Sequence, residues 1–137
     1  MLAQSHFIPL SLKRIFKDFE LNYSSFELRF PEFTGRHTSS IGSLSGGERR
    51  LIEVYIIAKS ISQFAILDEP FTHLNPVQIE KVQELLLQEK ENKGLLITDH
   101  MFRHVTDICD DVYVLTNGKT HRVKSISEIE TLGYANL

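Results

Sequence analysis

Ser45-Gly46-Gly47-Glu48, Asp68-Glu69 and His100 are the residues of this chain whose types and spacing could do chemistry. Ser45 and Glu48 have the spacing of a capping box, in which a hydroxyl and a carboxylate satisfy free N–H groups at a helix start. That structural reading leaves Gly46 and Gly47 unexplained, since each glycine in a helix costs about 1 kcal/mol against alanine. Paired glycines suit something that approaches the backbone closely. A helix N-terminus, with free N–H groups and a positive dipole end, suits a phosphate. Asp68 and Glu69 close an apolar run that begins at Phe64. Adjacent carboxylates repel, so a cation or ordered water is expected to compensate. The natural division of labour has Asp68 holding Mg²⁺, directly or through water, while Glu69 orients or deprotonates an attacking water. The bland alternative is a solvated strand end stopped by Pro70. His100 follows a second apolar run, where an imidazole can donate to a phosphate oxygen and fix the water or Glu69. A lone histidine is more often structural or merely exposed, and His6, His37, His73, His104 and His121 lack this setting. His100 and His104 stand one helical turn apart, but with no third ligand nearby zinc is not expected.

These groups need a scaffold, and the apolar spacing supplies one. Leu12, Ile15, Phe16 and Phe19 make one helical face over 11–19, with Ser11 as N-cap. Residues 46–62 read as a helix through Leu51, Val54, Tyr55, Ala58 and Ile61, and 63–68 as a short buried strand. Residues 76–91 form a second long helix, capped by Asn75, opened by Pro76 and buried through Ile79, Val82, Leu85 and Leu86. Leu95 to Thr98 reads as another buried strand, and Met101 to Cys109 as a helix burying Phe102, Val105 and Cys109. Val112 to Leu115 is a strand, and Asn117-Gly118 turns it into Thr120 to Val123. Ser125 with Glu128 suits a last short helix. Residues 20–43 fit no clear pattern. Six of the nine phenylalanines lie between Phe7 and Phe33, which implies an aromatic-packed subdomain or, alternatively, a surface for a partner. Strands alternating with helices predict a parallel α/β sheet with a late hairpin.

With 137 residues, one domain is the default. Hydrophobic residues at 42% suffice for a core, and the net charge of −3 argues against nucleic acid as a partner. A single cysteine, Cys109, excludes an internal disulfide and fits a reducing compartment. The N-terminal residues lack a secretory signal pattern, and no apolar run nears the roughly 20 residues of a membrane span. A soluble chain able to dock on a membrane protein is expected.

Taken in order, the motifs resemble the ATP-binding-cassette (ABC) ATPase family. Leu44 to Glu48 is similar to its LSGGE signature. Phe64 to Asp68 is similar to the Walker B strand, with Glu69 at the place of the catalytic glutamate. Phe71 to Asn75 falls at the D-loop and His100 at the switch histidine. Asp111 and Gly118 fit the pattern of the hairpin that follows, and Gln4 to Leu10 resembles the Q-loop and its sequel. The likeness runs from Gln4 to about Val123. Within the family, Glu48-Arg49-Arg50 and Thr98-Asp99-His100 are similar to transporter subunits of the lipopolysaccharide-export and branched-chain amino-acid type. Two departures stand out. Asn75 occupies a position usually held by aspartate, keeping the cap but losing a charge. No Gly-x-x-x-x-Gly-Lys-Ser/Thr loop is present, and only three residues precede Gln4.

The resemblance implies a partial P-loop NTPase core of ABC type, with parallel strands and a small helical subdomain. A single partial domain over 1–137 is expected, divided into a helical and signature part at about 4–60 and a Walker B to C-terminal part at 61–137. It implies ATP and Mg²⁺ as ligands: Ser45, Gly46 and Gly47 toward a nucleotide held by a second ABC ATPase subunit, Asp68 and Gln4 toward the metal, Glu69 and His100 as catalytic residues. It also implies a transmembrane permease partner contacted through Gln4, and a place on the inner face of the cell membrane. Without the phosphate loop, several charge-assisted hydrogen bonds of roughly 1.5–3 kcal/mol each are missing. The chain alone is therefore expected to bind and hydrolyse little ATP. The family's sheet sets the phosphate-loop strand between the strand ending at Thr98 and that at Val112, so two strand edges are expected to lack a partner. The leading expectation is the C-terminal portion of an ABC transporter ATPase. The alternatives are a non-catalytic interaction module and a non-transport ABC-type ATPase.

Overall fold

The computed structural model describes residues 10–133. Gln4, His6 and Phe7 lie outside them, and with them the Q-loop resemblance. In chain order the elements are α1 (Leu12–Asp18), α2 (Tyr23–Arg29), two 3₁₀ turns (Pro31–Phe33 and Ile41–Ser43), α3 (Gly46–Lys59), β1 (Phe64–Asp68), α4 (Pro76–Glu89), β2 (Gly94–Thr98), α5 (Phe102–Thr106), β3 (Val112–Thr116), β4 (Lys119–Val123) and α6 (Ile126–Thr131). β1 and β2 pair in parallel, from Phe64 opposite Gly94 to Asp68 opposite Thr98. β3 and β4 form a separate antiparallel hairpin. Its turn holds Asn117 at φ 50° and Gly118 at φ 72°. Positive φ at both central residues gives the backbone twist that suits a two-residue hairpin turn, hence Asn-Gly.

The segment that sequence periodicity left open folds around rings. Phe16, Phe26, Phe30 and Phe33 are all buried. The Phe26 ring lies 4.8 Å from Phe33, 5.3 Å from Phe30, 4.9 Å from Phe16 and 4.9 Å from Tyr55 of α3. Each such pair adds about 0.5–1.5 kcal/mol beyond its burial. The aromatic-packed alternative is the one realised. Ser11 caps α1 and Asn22 caps α2 through their side chains. The Tyr23 hydroxyl donates to the Phe33 carbonyl at 2.7 Å. The α3–α4 pair lies beside this cluster, and Lys59 joins buried Glu89 across the two helices at 2.5 Å.

Several boundaries differ from expectation, each for a local reason. Phe19 caps the C-terminal end of α1 and is half exposed. α3 stops at Lys59, where Ser60 takes an extended ψ of 147°, so Ile61 leaves the helix and is exposed. α5 ends at Thr106, and Cys109 is only partly buried. Ser125 precedes α6, yet no side-chain cap bond forms. Its hydroxyl pairs with Ser127, and Glu128 accepts from Lys124 N–H instead. The strands β1 and β2 are not buried on both faces. Ala65 and Leu67 point into the core, whereas Phe64, Ile66 and Leu96 are exposed at 75%, 67% and 57%.

The capping box on α3 is present, with Ser45 Oγ accepting from Glu48 N–H at 3.1 Å and Glu48 Oε2 accepting from Ser45 N–H at 2.9 Å. The two glycines then separate. A Cβ on Gly47 would lie 2.6 Å from the carbonyl oxygen of His73, so the close approach there is made by the chain's own backbone. A Cβ on Gly46 would meet only the His73 ring edge at 4.0 Å, an ordinary contact. Packing against His73 is thus a reason of its own for glycine at 47. Gly47→Ala should therefore destabilise the chain, while Gly46→Ala should be neutral or stabilise it by up to about 1 kcal/mol through helix propensity. Urea unfolding of the two variants followed by circular dichroism reads the opposite signs.

Glu48 also binds Arg36, with its Oε1 2.6 Å from the guanidinium. That hydrogen bond, then the Ser45 amide, holds the Glu48 carboxyl below its ordinary range. A depressed carboxylate pKa contributes stability above the unfolded-state value, lost as pH falls through the folded value. Glu48→Gln should flatten the acid limb of the stability–pH profile without changing its slope near neutrality, as read from urea midpoints across the carboxylate range.

Candidate functional site

The parallel register places the last residues of β1 and β2 side by side, so both strands empty onto one edge, where ligands of open α/β sheets bind. Glu69 N–H donates to the Thr98 carbonyl at 2.7 Å and carries the ladder one residue past β1. Glu69 takes a left-handed φ of 50°, which turns the chain away from the strand direction. The Thr98 hydroxyl donates to Asp68 Oδ1. Glu69 Oε1 lies 3.2 Å from His100 Nδ1, with the two side chains 48% and 61% exposed. Thr72 Oγ1 reaches Glu69 Oε2 at 3.5 Å. Asp68, Glu69 and His100 are thus brought together, as their positions in the sequence predict. A carboxylate only accepts, so the His100 nitrogen that faces Glu69 carries the proton.

The loop between β1 and α4 joins this edge to the start of α3. Phe71 anchors it, fully buried, with its ring 5.5 Å from that of His104. His73 takes φ 65° and turns its carbonyl toward Gly47. Asn75 then caps α4 through a second box with Gln78. Ser45, Gly47 and Glu48 line an open groove with His73, Asn75, Pro76, Val77 and Gln78. No hydrogen bond among the described residues links Ser45, Gly46 or Gly47 to Asp68, Glu69 or His100. The loop stands between two clusters, and Gln4 lies outside the described residues.

Asp99 carries no role in the motif reading beyond its place in Thr98-Asp99-His100. Its side chain is 0% exposed, between the exposed His100 and the end of β2. Its Oδ1 accepts from Met101 N–H at 2.7 Å, and its Oδ2 from Phe71 N–H at 3.4 Å. The first bond is an Asx turn, legible in the sequence as an aspartate directly after a strand. The second crosses to the other loop and has no local signature.

For a divalent cation, Asp68 offers one exposed carboxylate beside a threonine hydroxyl. That donor set fits Mg²⁺, which takes one or two carboxylates and completes its shell with water and phosphate oxygens. Among the described residues no group of three or more His, Cys, Asp or Glu side chains forms an all-protein cage. No helix among them is long and apolar enough to cross a membrane.

No protein-family model matches the chain. Curated relatives do. The lipopolysaccharide export system ATP-binding protein LptB of Acidithiobacillus ferridurans is 39% identical over 88 residues, covering 64% of this chain and 36% of that protein. The LptB of Haemophilus influenzae is 37% identical over 79 residues, covering 56% and 32%. The chain thus matches about a third of the length of these relatives. Among solved structures, an ATP-binding subunit of an ABC transporter superposes with a TM-score of 0.65 at 21% identity, over 93% of this chain and 58% of that one. The RNase-L inhibitor superposes with a TM-score of 0.69 at 19% identity, over 90% and 27%. At those identities the superpositions speak to the fold, and the sequence matches speak to descent. Together with the order of the signature, the paired carboxylates and the histidine, they make the chain similar to part of the ATP-binding subunits of ABC transporters, and it carries part of their α/β fold.

Proposed function

We propose that this chain contributes the signature, Walker B and switch-histidine elements of an ABC transporter ATPase that couples ATP hydrolysis to transport across a membrane. The observation that carries the reading is the Glu69–His100 pair at 3.2 Å on the edge where β1 and β2 end, with Asp68 beside it. In that reading Glu69 accepts the proton of an attacking water, and Nδ1 of His100 keeps the carboxylate turned toward it. Asp68 holds Mg²⁺, with Gln4 assigned to the same metal by resemblance; the ion's chemistry there is to neutralise charge on the phosphate oxygens. Nδ1 of His100 already donates to Glu69, so donation from Nε2 to a γ-phosphate oxygen requires the imidazolium form.

Ser45, Gly46 and Gly47 face a nucleotide cradled by a second ABC ATPase subunit. Gly46 is the glycine whose Cα side is open, and Gly47 also lets the loop through His73 close against α3. A transmembrane permease subunit is the proposed membrane partner, with the ATPase on its cytoplasmic side. The relatives' name suggests lipopolysaccharide export as the first transport class to test. This sequence holds no phosphate loop of its own, so the nucleotide's affinity has to come from another polypeptide segment.

Two measurements test this. The chain alone, titrated calorimetrically with Mg-ATP, should show no binding at micromolar nucleotide; saturable micromolar binding would overturn the division of labour. In a reconstituted complex whose second component supplies the phosphate loop, Glu69→Gln should lower phosphate release by about 10²-fold or more, the usual worth of a positioned base. ATP should stay bound. Unchanged turnover would favour a non-catalytic interaction module.

A further inference from the structure

We propose that Asp99 is the positioning residue of the Glu69–His100 pair. Its carboxylate clips the loop after β1 to the loop after β2 and so holds Nδ1 of His100 toward Glu69. A carboxylate with no exposed surface is costly unless hydrogen-bonded. Asp99 meets that demand with one amide from each loop, Met101 at 2.7 Å and Phe71 at 3.4 Å. Phe71 is fixed in the core and stands two residues after Glu69; Met101 stands next to His100. The two backbone turns that aim Glu69 and His100 are therefore tied through one side chain. Asp99 Oδ1 also lies 3.8 Å from His100 Nδ1, behind Glu69 Oε1 at 3.2 Å. Two acceptors near the same ring nitrogen select the Nδ1–H tautomer of the neutral imidazole and leave Nε2 facing outward.

This geometry matters for hydrolysis only if the proposed function holds, but it can be tested without it. The probe is the ring ¹⁵N spectrum of His100 in the histidine-labelled chain, assigned with His100→Gln and recorded above the histidine titration range. The native chain should show Nδ1–H, together with a nuclear Overhauser contact between the His100 ring and the Glu69 side chain. Asp99→Asn keeps an acceptor for Met101 and loses the one for Phe71. Its His100 should move toward the Nε2–H tautomer, and the Phe71 amide should exchange about tenfold faster, the factor one lost hydrogen bond supports. The Met101 amide and the amides of β3 and β4 should stay as in the native chain. Asp99→Ala should release both amides and abolish the Glu69 contact. Retention of the native tautomer and contact in both variants would overturn the proposal, leaving Asp99 a structural residue. So would loss of hairpin protection in Asp99→Asn, which would make it a folding residue. Turnover that survives Glu69→Gln would remove the catalytic reading and leave this result standing.

Discussion

Everything at the sheet edge depends on the parallel register of β1 and β2. Pairing Asp68 with Thr98 sets the two strand ends level, and a shift of one residue would send Asp68 and Thr98 to opposite faces. The register is held from one side. Ala65 and Leu67 are buried, Leu67 in the main core with residues of α3 and α4, and they cannot be exchanged for the outward residues without exposing apolar surface on that side. The ladder bond from Glu69 N–H to Thr98 then extends the pairing to the first loop residue. The Glu69–His100 contact is a consequence of strand pairing before it is a matter of side-chain choice.

The signature segment shows a different kind of dependence. A capping box explains Ser45 and Glu48 and leaves two glycines over, for which close approach of a ligand is a single expected cause. The structure divides them, because the His73 carbonyl, swung round by a left-handed φ, occupies the space a side chain on Gly47 would need. Nothing in the Gly-Gly pair could reveal this. The partner lies 26 residues further on, a distance local periodicity does not read. The same holds for Asp99, whose turn is local and legible while its bond to Phe71 depends on the strands being paired first. Helix starts were legible because caps and proline act within a few residues. Residues 20–43 were not, since short helices held by ring packing carry too few turns for periodicity to show.

The strands were legible as strands, but their surroundings were not. A continuous apolar run such as Phe64 to Leu67 ordinarily means cover on both faces, because parallel sheets are built from crossovers that supply it. Here α3 and α4 cover one face, while Phe64, Ile66 and Leu96 face outward. Tyr113 and Leu115 of the separate hairpin are likewise exposed. The composition of these strands is therefore that of a fully covered sheet, placed in a fold that covers half of it. That mismatch agrees with a chain that matches about a third of the length of its relatives.

Asp68 and the bare apolar residues Phe64 and Ile66 belong to the same strand, and Glu69 and His100 follow the ends of β1 and β2. Side chains alternate along a strand, so Phe64, Ile66 and Asp68 share one side of β1 while Ala65 and Leu67 take the other. Asp68 thus projects from the uncovered side, past the exposed Phe64 and Ile66. A carboxylate there remains in water, where charge is screened and a metal ion competes with solvent. Covering that face with apolar structure would lower the dielectric around Asp68 without moving it. The apolar residues Phe64 and Ile66 and the carboxylate of Asp68 are thus aligned on one side of β1, with the β1–β2 register setting their positions.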